Sequence, residues 1–146
     1  MVVRMVDISD KALTLRTAVA AAKVIASKGL IRKIKAGRLP KGDCLAAAQV
    51  AGVLAAKNTP AIVPLCHPVR VTAVAVDFSF SAKAVAVRTT VRARDATGVE
   101  MEALAACAAA ALTIYDMAKT EEKDIVISDL KLLKKTGGKS GDYIRK

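Results

Sequence analysis

Apolar and polar side chains alternate with a period of two along Val69 to Phe80 and again along Ala84 to Arg94, the pattern of half-buried strands. A short polar link containing Ser81 and Lys83 separates the two runs, so they predict an antiparallel hairpin. Elsewhere the apolar positions recur every three to four residues. Ser27 followed by Leu30, Ile31 and Ile34 predicts a short capped helix ending near Gly37. Lys41-Gly42-Asp43 turns the chain, and Asp43 is the expected N-cap of an alanine-rich helix from about Cys44 to Lys57. Asn58-Thr59-Pro60 breaks that helix. Pro64-Leu65-Cys66-His67-Pro68 is expected to be extended, because a residue before proline avoids the helical region.

Thr97 with Glu100 three residues on matches a capping box and opens the longest helix, roughly Val99 to Lys119. A last strand is expected at Asp124 to Leu133, before a tail rich in Gly and Lys. Thr14 to Val24 fits a strand or a helix equally, and periodicity does not decide between them. Helices mixed with strands around an antiparallel pair give an α+β domain. At 146 residues the chain is expected to form one such domain, residues 1–146.

Composition adds two constraints. Hydrophobic residues make up 53% of the chain and aromatics 3%, with no Trp, so the core is built from Ala, Val, Leu and Ile. Alanine contributes little transfer free energy, and a chain this rich in it gains stability by burying more elements, including between subunits. The net charge of +11, from 24 Lys and Arg against 13 Asp and Glu, implies an anionic partner if the positive charges converge on one face, and nucleic acid, nucleotide and anionic membrane all fit. Two Phe and two Tyr are a thin supply of stacking platforms, which argues against nucleic acid. A basic nucleic-acid-binding oligomer without catalysis is the alternative reading. It predicts oligonucleotide affinity that falls steeply with salt.

Cys44, Cys66 and Cys107 form no CxxC pair and accompany a single histidine, so no metal site is expected. Isolated thiols suit a reducing compartment, and the expected location is the cytoplasm. The N-terminus lacks a long apolar run, and Ala103 to Ile114 is too short to span a bilayer, so neither a signal peptide nor a membrane segment is expected.

The long helix carries Glu100 and Glu102 in its first turn and Asp116 and Lys119 in its last. Charges answering the helix dipole explain Glu100, Glu102 and Lys119, each contributing about 0.3–1 kcal/mol. They do not explain Asp116, which opposes the dipole. Glu102 and Asp116 lie within about 40° of one helical face but roughly 21 Å apart along the axis. One small substrate cannot meet both within one chain. If two copies paired antiparallel along the small-residue stripe, the two ends would converge. His67, between two prolines, is placed as a rigid hydrogen-bond donor. Cys66 points away from it on extended backbone, so a thiol-histidine nucleophile is not expected.

Lys41 sits in a turn whose glycine permits close approach to a ligand. Thr136-Gly137-Gly138-Lys139-Ser140-Gly141 is not a Walker sequence, because Leu133 stands where a glycine is required. Its glycine-rich backbone and Lys139 can still cradle a phosphate. Lys131, Lys134, Lys135 and Lys146 read as solvated surface.

Met5-Val6-Asp7, Lys41-Gly42-Asp43, Pro64 to Pro68, Thr97-Gly98-Val99-Glu100-Met101-Glu102-Ala103-Leu104, Leu112-Thr113-Ile114-Tyr115-Asp116-Met117 and Gly137-Gly138-Lys139-Ser140-Gly141 follow in order along nearly the whole chain. This ordered set resembles the cyclic pyranopterin monophosphate synthases, also called the molybdenum cofactor biosynthesis protein C family. The resemblance implies a ferredoxin-like antiparallel sheet with helices on one face, assembled as a hexamer, a trimer of dimers, with sites between subunits. It implies conversion of a cyclised dihydroguanosine triphosphate, made from GTP by a separate radical enzyme, into cyclic pyranopterin monophosphate with loss of diphosphate.

No cofactor is required for that reaction, although Mg²⁺ can accompany the triphosphate. The matching functional positions are Asp7, Arg16, Lys41, His67, Glu100, Glu102, Asp116, Lys119 and Lys139, with Leu65, Cys66 and Met101 at substrate-contact positions. Asp116 and Lys119, three apart on a helix, are the expected proton-transfer pair, with Lys41 beside them. Clustered cations are expected to depress the pKa of Lys119.

Overall fold

The undecided segment at the start of the chain is a strand. In the computed structural model, which describes residues 1–146, β1 runs over Thr14–Ile25 and is the centre of a five-stranded sheet. Ala18, Ala20, Ala22 and Val24 point to one face and are fully buried or nearly so. Two partners fix them there. β3 (Ala84–Asp95) pairs antiparallel along its whole length, with Ala18 opposite Val91 and Val24 opposite Val85. β4 (Val126–Thr136) pairs antiparallel on the other side.

The hairpin holds as expected: β2 (Val71–Phe80) pairs antiparallel with β3, Val76 opposite Thr89 and Phe80 opposite Val85. A two-residue edge strand β5 (Tyr143–Ile144) completes the order β2-β3-β1-β4-β5. The tail was not expected to pair, and its two residues carry no alternation that could have announced it.

Four helices lie among the strands: α1 (Lys28–Lys35), α2 (Cys44–Lys57), α3 (Thr59–Ile62) and α4 (Glu100–Ala118). Ser27 caps α1 through Leu30 N–H at 3.3 Å, and Asp43 caps α2 through the N–H groups of Leu45 and Ala46 at 3.0 and 3.1 Å. Helices α2 and α4 pack side by side on one face of the sheet, and α1 sends Leu30, Ile31 and Ile34 into the same core. The order strand, helix, strand, strand, helix, strand on an antiparallel sheet is the ferredoxin-like α+β arrangement. Gly52 lets α2 approach α4 closely, since a methyl there would stand 2.8 Å from Val76 Cγ2 and 3.2 Å from the Ala106 carbonyl.

Four expectations need correction. Asn58-Thr59-Pro60 does end α2, but the chain re-enters one helical turn, α3, with the Thr59 hydroxyl donating back to the Ala55 carbonyl at 2.9 Å. The proline-bracketed segment is not extended throughout: Pro64 and Leu65 form a turn closed by Cys66 N–H on the Val63 carbonyl at 3.0 Å. The capping box does not form. Helix α4 starts at Glu100 with Val99 as an uncapped N-cap, and the Glu100 carboxylate folds back over Gly98, where a methyl would overlap it.

The fourth correction concerns assembly. The alanine stripe of α4, Ala103, Ala106, Cys107, Ala110, Ala111, Ile114 and Ala118, is buried against the chain's own sheet and α2. Antiparallel pairing of two copies along that stripe is therefore ruled out. By length and composition this 19-residue helix could cross a membrane, but its apolar stripe is spent on the core.

Candidate functional site

At the C-terminal end of α4, Asp116 is gripped by two ammonium groups. Lys41 Nζ donates to Oδ2 at 2.8 Å and to the Asp116 backbone carbonyl at 3.2 Å, while Lys119 Nζ lies 2.6 Å from Oδ1. The loop after α1 delivers Lys41, and the last turn of α4 sets Asp116 and Lys119 three residues apart on one face. All three side chains are about half exposed. Hydrogen bonds from Lys119 and Lys41 hold the Asp116 carboxyl at about 2, well below its usual range. The same contact raises the pKa of Lys119 rather than lowering it. The expected depression fails because the hydrogen bond from Lys119 to the Asp116 carboxylate, and the attraction between the two charges, favour the protonated amine.

A second group gathers at the other end of α4. Glu102 is 1% exposed, with Oε1 accepting from the Cys66 thiol at 3.6 Å and Oε2 buried without a partner. Burial pushes its carboxyl upward, with Glu100 and Asp95 adding repulsion. The Cys66 thiol is likewise pushed up to about 11 by burial and by Glu102, so it stays a thiol near neutrality. Leu65 and His67 line a cavity of about 370 Å³ together with Arg4, Lys11 and Thr97. Asp7 accepts from Ser9 N–H at 2.9 Å and from its hydroxyl at 2.5 Å; these bonds, with the nearby His67, lower its carboxyl pKa. Met101 is exposed in the first turn of α4, beside Glu100.

The third group is cationic. Arg16 on β1 donates from Nη2 to the Ala96 carbonyl at 3.2 Å, and its guanidinium lies against Gly138, where a methyl would overlap it. Gly137 and Gly138 both have positive φ, 92° and 86°, which lets the loop after β4 fold onto Leu15 and Arg16. Arg16 and Lys139 line a cavity of about 450 Å³ with Lys11 and Thr14.

The chain thus brings Lys41, Asp116 and Lys119 together, and separately gathers His67, Leu65, Cys66 and Glu102. Helix α4 holds Glu102 and Asp116 about 21 Å apart, most of its length. Lys11 and Thr14 are not among the expected site residues. Thr14 could have been found from Arg16 two positions on, because alternate residues of a strand share a face.

An antiparallel sheet whose long helix bears an ion-paired carboxylate at one end and a buried carboxyl beside a thiol at the other defines an α+β enzyme acting on a small molecule. The chain belongs to the MoaC family, whose model matches residues 5–138. It is 47% identical to the cyclic pyranopterin monophosphate synthase of Bacillus mycoides (strain KBAB4) over 146 residues, 97% of this chain and 91% of that protein. It is 47% identical to the protein of the same name in Bacillus thuringiensis (strain Al Hakam) over 147 residues, 98% of this chain and 91% of that one.

Proposed function

We propose that this chain is a cyclic pyranopterin monophosphate synthase of molybdenum cofactor biosynthesis, converting a cyclised dihydroguanosine triphosphate into cyclic pyranopterin monophosphate and diphosphate. The observation that carries the reading is the Asp116 carboxylate held between Lys41 and Lys119, at 2.8 and 2.6 Å. Opening the purine five-membered ring and reclosing it as a pyrazine moves protons, so the reaction needs positioned acid and base groups. Attack of a ribose hydroxyl on the α-phosphorus then expels diphosphate, which needs cations. In the resting pair Asp116 is ionised and Lys119 protonated, so Lys119 is the first proton donor and Lys41 a neighbouring cation. Arg16, His67 and Lys139 neutralise the triphosphate. Asp7, Glu100, Glu102, Leu65, Cys66 and Met101 bind the remainder of the substrate.

The separation of the groups along α4 supports a site completed by a second chain. The side chains left uncovered on the outer helical face, Val50 and Leu54 of α2 and Leu112 of α4, support association of copies. The assembly in this reading is a hexamer, a trimer of dimers, working in the cytoplasm without a resident cofactor. Mg²⁺, where it takes part, rides on the triphosphate.

Incubation of the purified chain with the cyclised GTP intermediate tests the reaction. Diphosphate and, after oxidation, a fluorescent pterin are expected; absence of both products would sink the reading.

A further inference from the structure

We infer that Thr14 and Lys11 bind the substrate's phosphate chain alongside Arg16 and Lys139. This deepens the synthase reading and rests on it. The Thr14 hydroxyl and Arg16 Nε are both buried in the wall of the 450 Å³ cavity, and neither has a hydrogen-bond partner. Buried polar groups are normally paired, and two orphans in one cavity mark where a ligand supplies the missing atoms. Arg16 Nε can only donate and the hydroxyl can donate, so the ligand presents acceptors.

The loop that closes the cavity points the same way. The backbone N–H groups of Gly138, Lys139 and Ser140 donate to nothing else in the chain, while Gly137 N–H is taken by Asp142 at 3.2 Å. Left-handed glycine in such a loop turns successive amides toward an anion. No carboxylate lines the cavity, and Lys11, Arg16 and Lys139 supply three positive charges. A group that is acceptor-only, multiply charged and rich in oxygen fits this set, and phosphate is that group.

Lys11 extends the argument to a second phosphate. It takes part in no ion pair and lines both this cavity and the one holding Leu65 and His67. A chain of phosphates lying across both spaces would pass Lys11, which a single phosphate in either would not require.

The test compares Thr14→Val, which removes only the hydroxyl, with Thr14→Ser, which restores it, and with Lys11→Met. Steady-state diphosphate release gives KM and kcat, and inorganic triphosphate is titrated as a competing ligand by calorimetry. Thr14→Val should weaken triphosphate binding and raise KM by about tenfold, the scale of one lost bond to a charged group, with kcat falling much less. Thr14→Ser should recover most of the loss. Lys11→Met should weaken triphosphate binding and flatten its salt dependence. Equal triphosphate affinity in wild type, Thr14→Val and Lys11→Met would overturn the inference. So would an equal loss of kcat in both Thr14 variants at constant KM, which marks a structural role. Lys11 is exposed, so its variant decides the matter if Thr14→Val does not fold. If the wild type releases no diphosphate, the synthase reading fails while the triphosphate titration still judges the site.

Discussion

Lys41 reaches Asp116 across 75 residues of sequence and bonds it twice, through the carboxylate at 2.8 Å and the backbone carbonyl at 3.2 Å. The second bond places a cation at the end of α4, where exposed carbonyls carry partial negative charge. A carboxylate there opposes the helix dipole unless cations answer it, and two do. Their effect is readable by titration. Asp116 in wild type should titrate near 2, and Lys41→Met should move it part of the way back toward 3.8. The sign follows from a depressed folded-state value: the stabilisation is present above 3.8 and lost as pH falls through about 2. Carbon-detected NMR of the side-chain carboxyl measures it, and an unmoved Asp116 would mean that Lys119 alone holds it down.

Lys119→Ala removes the proposed proton donor from a half-exposed position at the end of α4. The fold should survive, while product formation drops by about 10²–10⁴, the range of a lost general acid. Calorimetric melting and single-turnover pterin fluorescence read the two quantities separately. Near-normal turnover would exclude Lys119 from the chemistry.

Glu102 makes the opposite pH prediction. Its folded-state pKa is raised above the ordinary 4.5, so it is protonated in the fold and ionised in the unfolded chain between those two values. Stability is therefore complete below 4.5 and falls as pH climbs through the folded value. Glu102→Gln is neutral at every pH and should remove that downward slope. Urea midpoints for both proteins across pH 4.5 to neutrality decide it. Parallel curves would show that the buried carboxyl carries no such cost.

Much of this architecture can be read along the chain, and the failures have local causes. The hairpin and the α1 and α2 caps declare themselves because alternation and a side-chain oxygen act over a few residues. Thr14 to Val24 stays ambiguous because alanine suits either state, and only pairing with β3 and β4, more than fifty residues away, makes it a strand. Thr97 and Glu100 have the spacing of a capping box, but the N-cap is Val99 and the helix begins at Glu100 itself, so the motif sits two residues too early. The small-residue stripe of α4 announces a close partner without saying which. Its partner is α2 and the sheet of the same chain. Asp116 stands out in the sequence by opposing the dipole, whereas Lys11 emerges only from the fold, which sets it in one cavity with Arg16, Gly138 and Lys139.

Gly52 tests the packing that positions α4. A methyl added there meets Val76 at 2.8 Å and the Ala106 carbonyl at 3.2 Å, and the backbone atom cannot turn aside. Gly52→Ala gains helix propensity of about 0.8–1.0 kcal/mol, while overpacking costs about 1–3 kcal/mol. The steric term should win, and thermal unfolding should show a net loss. A raised melting temperature would mean that α2 and α4 separate easily.

The division of charged groups between the two ends of α4 makes the sharpest prediction. If each site takes Lys41, Asp116 and Lys119 from one chain and His67 and Glu102 from another, then Asp116→Ala and His67→Ala should each be inactive alone yet complement each other when mixed. Dissociating and reassociating equal amounts distributes the chains at random. Half of the first halves and half of the second halves are then intact, so about a quarter of the sites are whole. Diphosphate release should recover to about that fraction of the wild-type rate, and only after subunits have exchanged. A site built within one chain gives no recovery at any mixing ratio, because every chain in the mixture carries a lesion.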